Sequence, residues 1–191
     1  WGHLYRYDLE TGMPRGRLTS GEWNVLDIVR IDEREGWLYF TAVGREPGRD
    51  PYFRHLYRVR LDGTGLTLLT PEDADHEVAF SPSGRYFVDS YSTMDTPPIT
   101  VLRRADGSIV RELETADISR LEAMGWPRPI PFTVKARDGE TDLYGVMFRP
   151  SNFDPSKKYP IINAIYPGPQ AGSVGARSFS PARRGQAQAL A

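Results

Sequence analysis

The sequence predicts a mainly β protein in which propeller-type blades of short antiparallel strands lead into the first strands of an α/β domain. Three observations predict it. Short aromatic or β-branched runs recur between Gly, Pro, Asp and Ser. An ordered set of motifs repeats at a spacing of about 50 residues, which accommodates a four-stranded blade. After about residue 115 the pattern changes to one helical stretch and a proline-rich connector. Aromatics at 12%, with 18 Gly and 16 Pro in 191 residues, favour strands and tight turns over helices.

Taken in order, Leu4-Tyr5-Arg6-Tyr7, Trp37-Leu38-Tyr39-Phe40, Leu56-Tyr57-Arg58-Val59 and Tyr86-Phe87-Val88 read as strands. Asp62-Gly63 and Asp106-Gly107 read as two-residue hairpin turns of type I′, which need positive φ. His3-Leu4-Tyr5-Arg6 recurs as His55-Leu56-Tyr57-Arg58, an offset of 52 (3 to 55). Leu18-Thr19 recurs as Leu69-Thr70, an offset of 51 (18 to 69), and Gly36 before its strand recurs as Gly84, an offset of 48 (36 to 84). Three features in one order mark a repeat, so residues 1–115 are assigned about two blades. Propellers close with about four to eight blades, so the chain is expected to be a fragment of a larger protein; Trp1 in place of Met agrees.

Ile118 to Met124 predicts one or two helical turns, and Pro127, Pro129 and Pro131 stiffen the next stretch, so residues 116–131 are read as a linker. Phe132 to Ala136, the turn Asp138-Gly139 and Leu143 to Phe148 form a predicted hairpin. Tyr159 to Ile165 reads as a largely buried strand leading to the turn Tyr166-Pro167-Gly168-Pro169. Residues 132–191 are thus expected to open an α/β-hydrolase sheet. Gly185 to Ala191 resembles a short helix, marginal by itself.

Composition excludes several classes. With 24 Lys+Arg against 25 Asp+Glu the net charge is −1, with neither the basic surplus of a nucleic-acid binder nor a polybasic stretch for membranes. No apolar run is long enough to span a bilayer. The absence of Cys excludes disulfides, Cys-zinc sites and a Cys nucleophile, and leaves the compartment open. Without a phosphate loop or a His-x-x-x-His pair, neither a cofactor nor a metal is expected.

Serine chemistry needs a nucleophile on a sharp turn, a His base and an acid. No Gly-x-Ser-x-Gly occurs, and Gly172-Ser173-Val174-Gly175 has the wrong spacing. His3, His55 and His76 lie in the repeat region and are read as blade histidines holding hydrogen bonds. Glu72, Asp73 and Asp75 are read as a solvated loop. Arg15, Arg17, Arg30 and Arg34, interspersed with acids, are read as mixed solvated surface. Trp23, Trp37 and Tyr39 are assigned to blade packing.

Two longer stretches carry a resemblance. Ser81 to Ser92 with Asp95-Thr96-Pro97-Pro98 resembles the last propeller blade of dipeptidyl peptidase IV-like enzymes, in the prolyl oligopeptidase family of serine peptidases. Asp138 to Gly145, then Arg149-Pro150 through Tyr159-Pro160, resembles that family's entry into its α/β-hydrolase domain, most specifically from Asn152 to Pro160. The resemblance implies an eight-bladed propeller over a hydrolase domain that acts on peptides, releasing N-terminal dipeptides after Pro or Ala. It also implies that Tyr166 is the oxyanion-hole tyrosine, although Pro167 replaces the family's small residue. The triad would lie beyond Ala191, and the paired glutamates that hold a substrate's N-terminus would lie before Trp1. Peptide substrate is then the expected partner, with no nucleic acid, no membrane segment in this chain, and a homodimer left open for the whole protein. An acylaminoacyl- or oligopeptidase of the same family and a non-catalytic propeller that binds a protein are the alternatives.

Overall fold

A computed structural model describes residues 1–165 and 177–181. Tyr166 with its turn, Ser173 and the expected helix Gly185 to Ala191 lie outside the described residues. The first pair of strands is β1 (Tyr5–Tyr7) with β2 (Pro14–Arg17), followed by two four-stranded antiparallel sheets. The first comprises β3 (Asn24–Asp32), β4 (Trp37–Val43), β5 (His55–Arg60) and β6 (Thr67–Leu68) in chain order. The second comprises β7 (Asp75–Phe80), β8 (Tyr86–Ser92), β9 (Ile99–Arg104) and β10 (Ile109–Thr115). A single-turn helix α1 (Ser119–Ala123) and the hairpin β11 (Ile130–Lys135) with β12 (Asp142–Met147) complete the described elements.

The sequence repeat is a structural repeat. Both His-Leu-Tyr-Arg segments feed the strand that pairs outward, Tyr5 opposite Arg17 in β1–β2 and Tyr57 opposite Leu68 in β5–β6. Leu18 N–H donates to Leu4 O and Leu69 N–H to Leu56 O, each at 2.8 Å. Thr19 Oγ1 accepts from Leu4 N–H at 3.0 Å as Thr70 Oγ1 accepts from Leu56 N–H at 2.9 Å. The pair β1–β2 is therefore the outer half of a blade, and two full blades come after it. This is the meander of a β-propeller, and the chain does not close it into a ring.

Packing follows strand parity. Leu38, Phe40 and Ala42 of β4 join Leu18, Trp23, Tyr57 and Val59 in the core beneath the first half-blade. Tyr39, on the opposite face of β4, joins Leu56, Leu69 and Phe87 in the core between the two full blades. A strand buried on both faces carries a continuous apolar run rather than an alternating one, as Trp37 to Phe40 does. Trp23 stacks near Phe40 at 6.2 Å and Trp37 lies under the guanidinium groups of Arg58 and Arg60 at 4.3 and 3.9 Å, so these aromatics pack as the repeat requires.

Four expectations are corrected in the folded chain. The Asp-Gly hairpins close over three residues rather than two: Gly63 N–H and Gly107 N–H donate to Arg60 O and Arg104 O, while Arg60 and Arg104 N–H reach Thr64 O and Ser108 O. Only the glycine then needs positive φ, +89° and +92°, and Asp62 and Asp106 cap the bend by accepting from Thr64 and Ser108. Tyr159 to Ile165 forms no strand, and Ile161 is 92% exposed, because no described strand lies beside it to accept its backbone hydrogen bonds. Arg30 is half-buried against Gly84 of the next blade instead of solvated. Asp75 is buried and Glu72 half-buried, for reasons of charge pairing given below.

Candidate functional site

In a four-stranded meander the second-to-third strand loops and the blade-to-blade connections emerge at the same end. Here those are residues 44–54 and 93–98, and 18–23 and 69–74, and the buried His55, Asp75 and His76 stand at their edges. Arg54, just before β5, grips Asp75 at the start of β7 with Nε to Oδ1 at 2.9 Å and Nη2 to Oδ2 at 2.7 Å. The Asp75 hydrogen bonds hold the Arg54 proton more tightly than usual, against the opposing effect of burial. This fork ties blade one to blade two.

Behind it lies a four-member polar cluster. Asp89 of β8, fully buried, is bonded by His76 Nδ1 at 2.9 Å and accepts from Arg103 Nε at 2.9 Å. Arg103 also meets Glu72 Oε1 at 2.6 Å and donates to Gly107 O at 3.0 Å. Burial works against the Arg103 charge, but Glu72 and Asp89 outweigh it and raise its pKa. His76 Nε2 bonds Glu72 O at 3.1 Å, so both its nitrogens are engaged. Glu72, His76 and Asp89 place ligand-type atoms within 4.8 Å of one another. The Arg103 guanidinium already stands as the cation between the two carboxylates, so the cluster is a polar brace that ties β7, β8 and β9 to the connection carrying Glu72.

His55 stands at the seam, its ring 5.1 Å from that of His76. Nδ1–H donates to Thr70 O at 2.9 Å, while Nε2 is buried without a hydrogen-bond partner. Burial lowers the His55 pKa below its ordinary 6.5, with nearby His76 adding to the effect. His3 at the equivalent repeat position bonds Thr19 Oγ1 and Gly21 O at 3.2 and 2.9 Å. All three histidines are therefore structural hydrogen-bonding residues, as the sequence suggests.

Residues beyond the second blade dock on this same end. Arg128 donates to Asp95 O at 2.9 Å, and Tyr144 of β12 meets the Tyr52 ring edge-on at 5.9 Å. Arg177, 4% exposed, pairs with Asp50 at 3.2 Å and lies 4.9 Å from the centre of the Tyr52 ring. Phe179 N–H donates to Ser92 Oγ at 2.9 Å, and its ring sits edge-on to Trp126 at 5.7 Å. The one site residue expected from sequence, Tyr166, lies outside the described residues, between Ile165 and this docked segment. Sequence reading missed Asp50, Tyr52, Asp89, Arg103 and Arg177. A charge inside the strand runs Phe87 to Ser92 and Ile99 to Arg104 is the signal that was present for Asp89 and Arg103. Nothing local marks Asp50 or Arg177, which meet only in the folded chain.

Comparison with known proteins gives this end of the blades a family. A profile described as the dipeptidyl peptidase IV (DPP IV) N-terminal region matches residues 1–98. Dipeptidyl peptidase 4 of Trichophyton equinum is 31% identical over 179 residues, covering 91% of this chain and 22% of the fungal protein. Dipeptidyl peptidase 4 of Arthroderma otae is 32% identical over 180 residues, again 91% of this chain and 22% of the relative. The crystal structure of Porphyromonas gingivalis dipeptidyl peptidase 4 superposes with a TM-score of 0.71 at 26% identity, over 93% of this chain and 24% of that one. The chain thus spans less than a quarter of the length of these relatives. A repeat of four-stranded meanders, a docked segment beyond the blades, and matches that run through both agree: the chain belongs to the dipeptidyl peptidase IV family.

Proposed function

We propose that this chain is part of a serine exopeptidase that removes N-terminal dipeptides after Pro or Ala. The observation that carries the reading is similarity to dipeptidyl peptidase 4 across 91% of the chain, which includes the segments beyond the blades. In this reading residues 1–115 belong to an eight-bladed propeller, 116–131 link it to the catalytic domain, and 132–191 begin that domain. The whole protein supplies the Ser, Asp and His of the triad from outside this chain.

Within that mechanism the chain contributes Tyr166. Attack of the serine oxygen on the scissile carbonyl places negative charge on the carbonyl oxygen, and a phenol O–H donates a hydrogen bond to it. Such a donor acts chiefly in the transition state, so its removal lowers kcat rather than raising KM. The experiment uses the whole protein with a chromogenic Gly-Pro anilide and its N-acetylated form. Cleavage of the free-amine substrate alone, with labelling by a fluorophosphonate, is expected, as is a loss of about 10²–10³ in kcat for Tyr166→Phe. Equal cleavage of the acetylated substrate, or no labelling, overturns the exopeptidase reading. Unchanged kcat in Tyr166→Phe removes the tyrosine from the oxyanion hole. The 191-residue chain by itself is expected to show no turnover, since its three histidines are blade residues and it has no nucleophile elbow.

A further inference from the structure

The catalytic reading does not use the ion pair between Asp50 and Arg177. Arg177 is among the most deeply buried cations of the described chain, its side chain 4% exposed against 20% for Asp50. A guanidinium withdrawn so far from water is retained only where a carboxylate and a second favourable surface meet it. Both are present. Asp50 Oδ2 lies 3.2 Å from Nε, and the Tyr52 ring lies 4.9 Å from the guanidinium carbon. Tyr52 is in turn braced edge-on by Tyr144 of β12. Two residues along, the main chain of Phe179 is tied to Ser92 at the end of β8 and its ring to Trp126. Residues 177–181 are therefore held by blade one, blade two and the linker together. An ion pair this buried selects one seating, because a shifted one strands the charge.

We propose that Asp50 and Tyr52, on the loop between β4 and β5, are positioning residues that seat Arg177 and thereby set the catalytic segment against the propeller. The inference rests on the peptidase reading, in which the oxyanion tyrosine precedes Arg177 in the same stretch of chain. Geometry at an acyl-transfer centre is demanding: a misplacement of about 1 Å can cost about 10² in rate. Both residues act through Arg177, so the effect is indirect and belongs to kcat.

The test is made in the whole protein, with kcat for Gly-Pro anilide expressed per site titrated by a fluorophosphonate. A purely structural contact reduces the number of titratable sites and leaves kcat per site unchanged. Asp50→Asn is expected to lower kcat per site about tenfold or more, with KM within about twofold, because the charge that fixes Arg177 is gone. Asp50→Glu restores most of the rate, and Glu33→Gln at the opposite end of the blades changes nothing. Arg177→Lys keeps the charge but not the planar group over Tyr52, and is expected to lose rate in the same direction by less; it serves where Asp50→Asn does not fold. Wild-type rates per site in both Asp50→Asn and Arg177→Lys overturn the positioning role and leave the peptidase reading standing. A wild-type protein that neither labels nor cleaves the anilide overturns the peptidase reading and the positioning role with it.

Discussion

At the scale of single residues, Asp89 carries the most consequential polar contacts. It is fully buried and faces both His76 and Arg103, so its carboxylate is the counter-charge that allows Arg103 to sit at 2% exposure. Asp89→Asn keeps the shape and removes the charge, leaving Arg103 with Glu72 alone. Breaking a buried pair in this way typically costs about 3–5 kcal/mol. Urea denaturation followed by tryptophan fluorescence is expected to show a midpoint shift of that size, and Asp89→Asn combined with Arg103→Met is expected to cost less than the two single substitutions added together. A shift worth under about 1 kcal/mol is what a screened surface pair gives, and it rules out the brace. Asp89 was legible only as a charge in an apolar run, because its partners His76 and Arg103 lie on β7 and β9.

At the scale of elements, the hairpins show how far turn chemistry reads. Asp62-Gly63 and Asp106-Gly107 announce turns correctly, yet the hydrogen-bond closure differs from the two-residue form. What sequence does not show is that each glycine also abuts the preceding blade. A Cβ on Gly107 lies 2.8 Å from Leu69 O, and one on Gly63 lies 3.3 Å from Arg17 O. Gly139, with φ +75°, has nothing within 4 Å. Gly139→Ala is therefore expected to cost only the left-handed conformation, about 1–2 kcal/mol. Gly107→Ala adds a backbone clash that cannot be relieved by a rotamer change, and is expected to cost at least about 1 kcal/mol more. Denaturation midpoints of the two variants check this, and equal shifts refute the blade contact. The stretch Tyr159 to Ile165 is the converse case: its apolar residues suit a strand, but strand formation depends on a neighbour that the described chain does not provide.

At the scale of the whole molecule, the seam between blades makes stability depend on pH. His55 is buried with its pKa depressed, so the unfolded chain binds the proton more readily than the folded one. The stability contributed by neutral His55 is thus complete above about pH 6.5 and is lost as pH falls through the lower folded value. Charged or titratable neighbours in the same field are His76, Arg49 and Glu46, with Thr70 O holding Nδ1–H. His55→Gln keeps a donor for Thr70 and removes the titration. Its thermal midpoint is expected to fall less than that of the wild-type protein between about pH 7 and pH 5. Parallel curves assign the acid sensitivity to another group.

Local chemistry in the sequence determined the blade strands, the positions of their turns, the short helix, the blade repeat and, through ordered motifs, the family. Each of these depends on residues within one strand, one turn or one repeat unit, where spacing along the chain equals spacing in space. Tertiary structure decided which face of β4 serves which core, how Asp89 and Arg103 come to be paired, and that Arg177 meets Asp50. Those outcomes depend on distant segments being brought together, and a charge that is costly in isolation becomes stable only where folding supplies its partner.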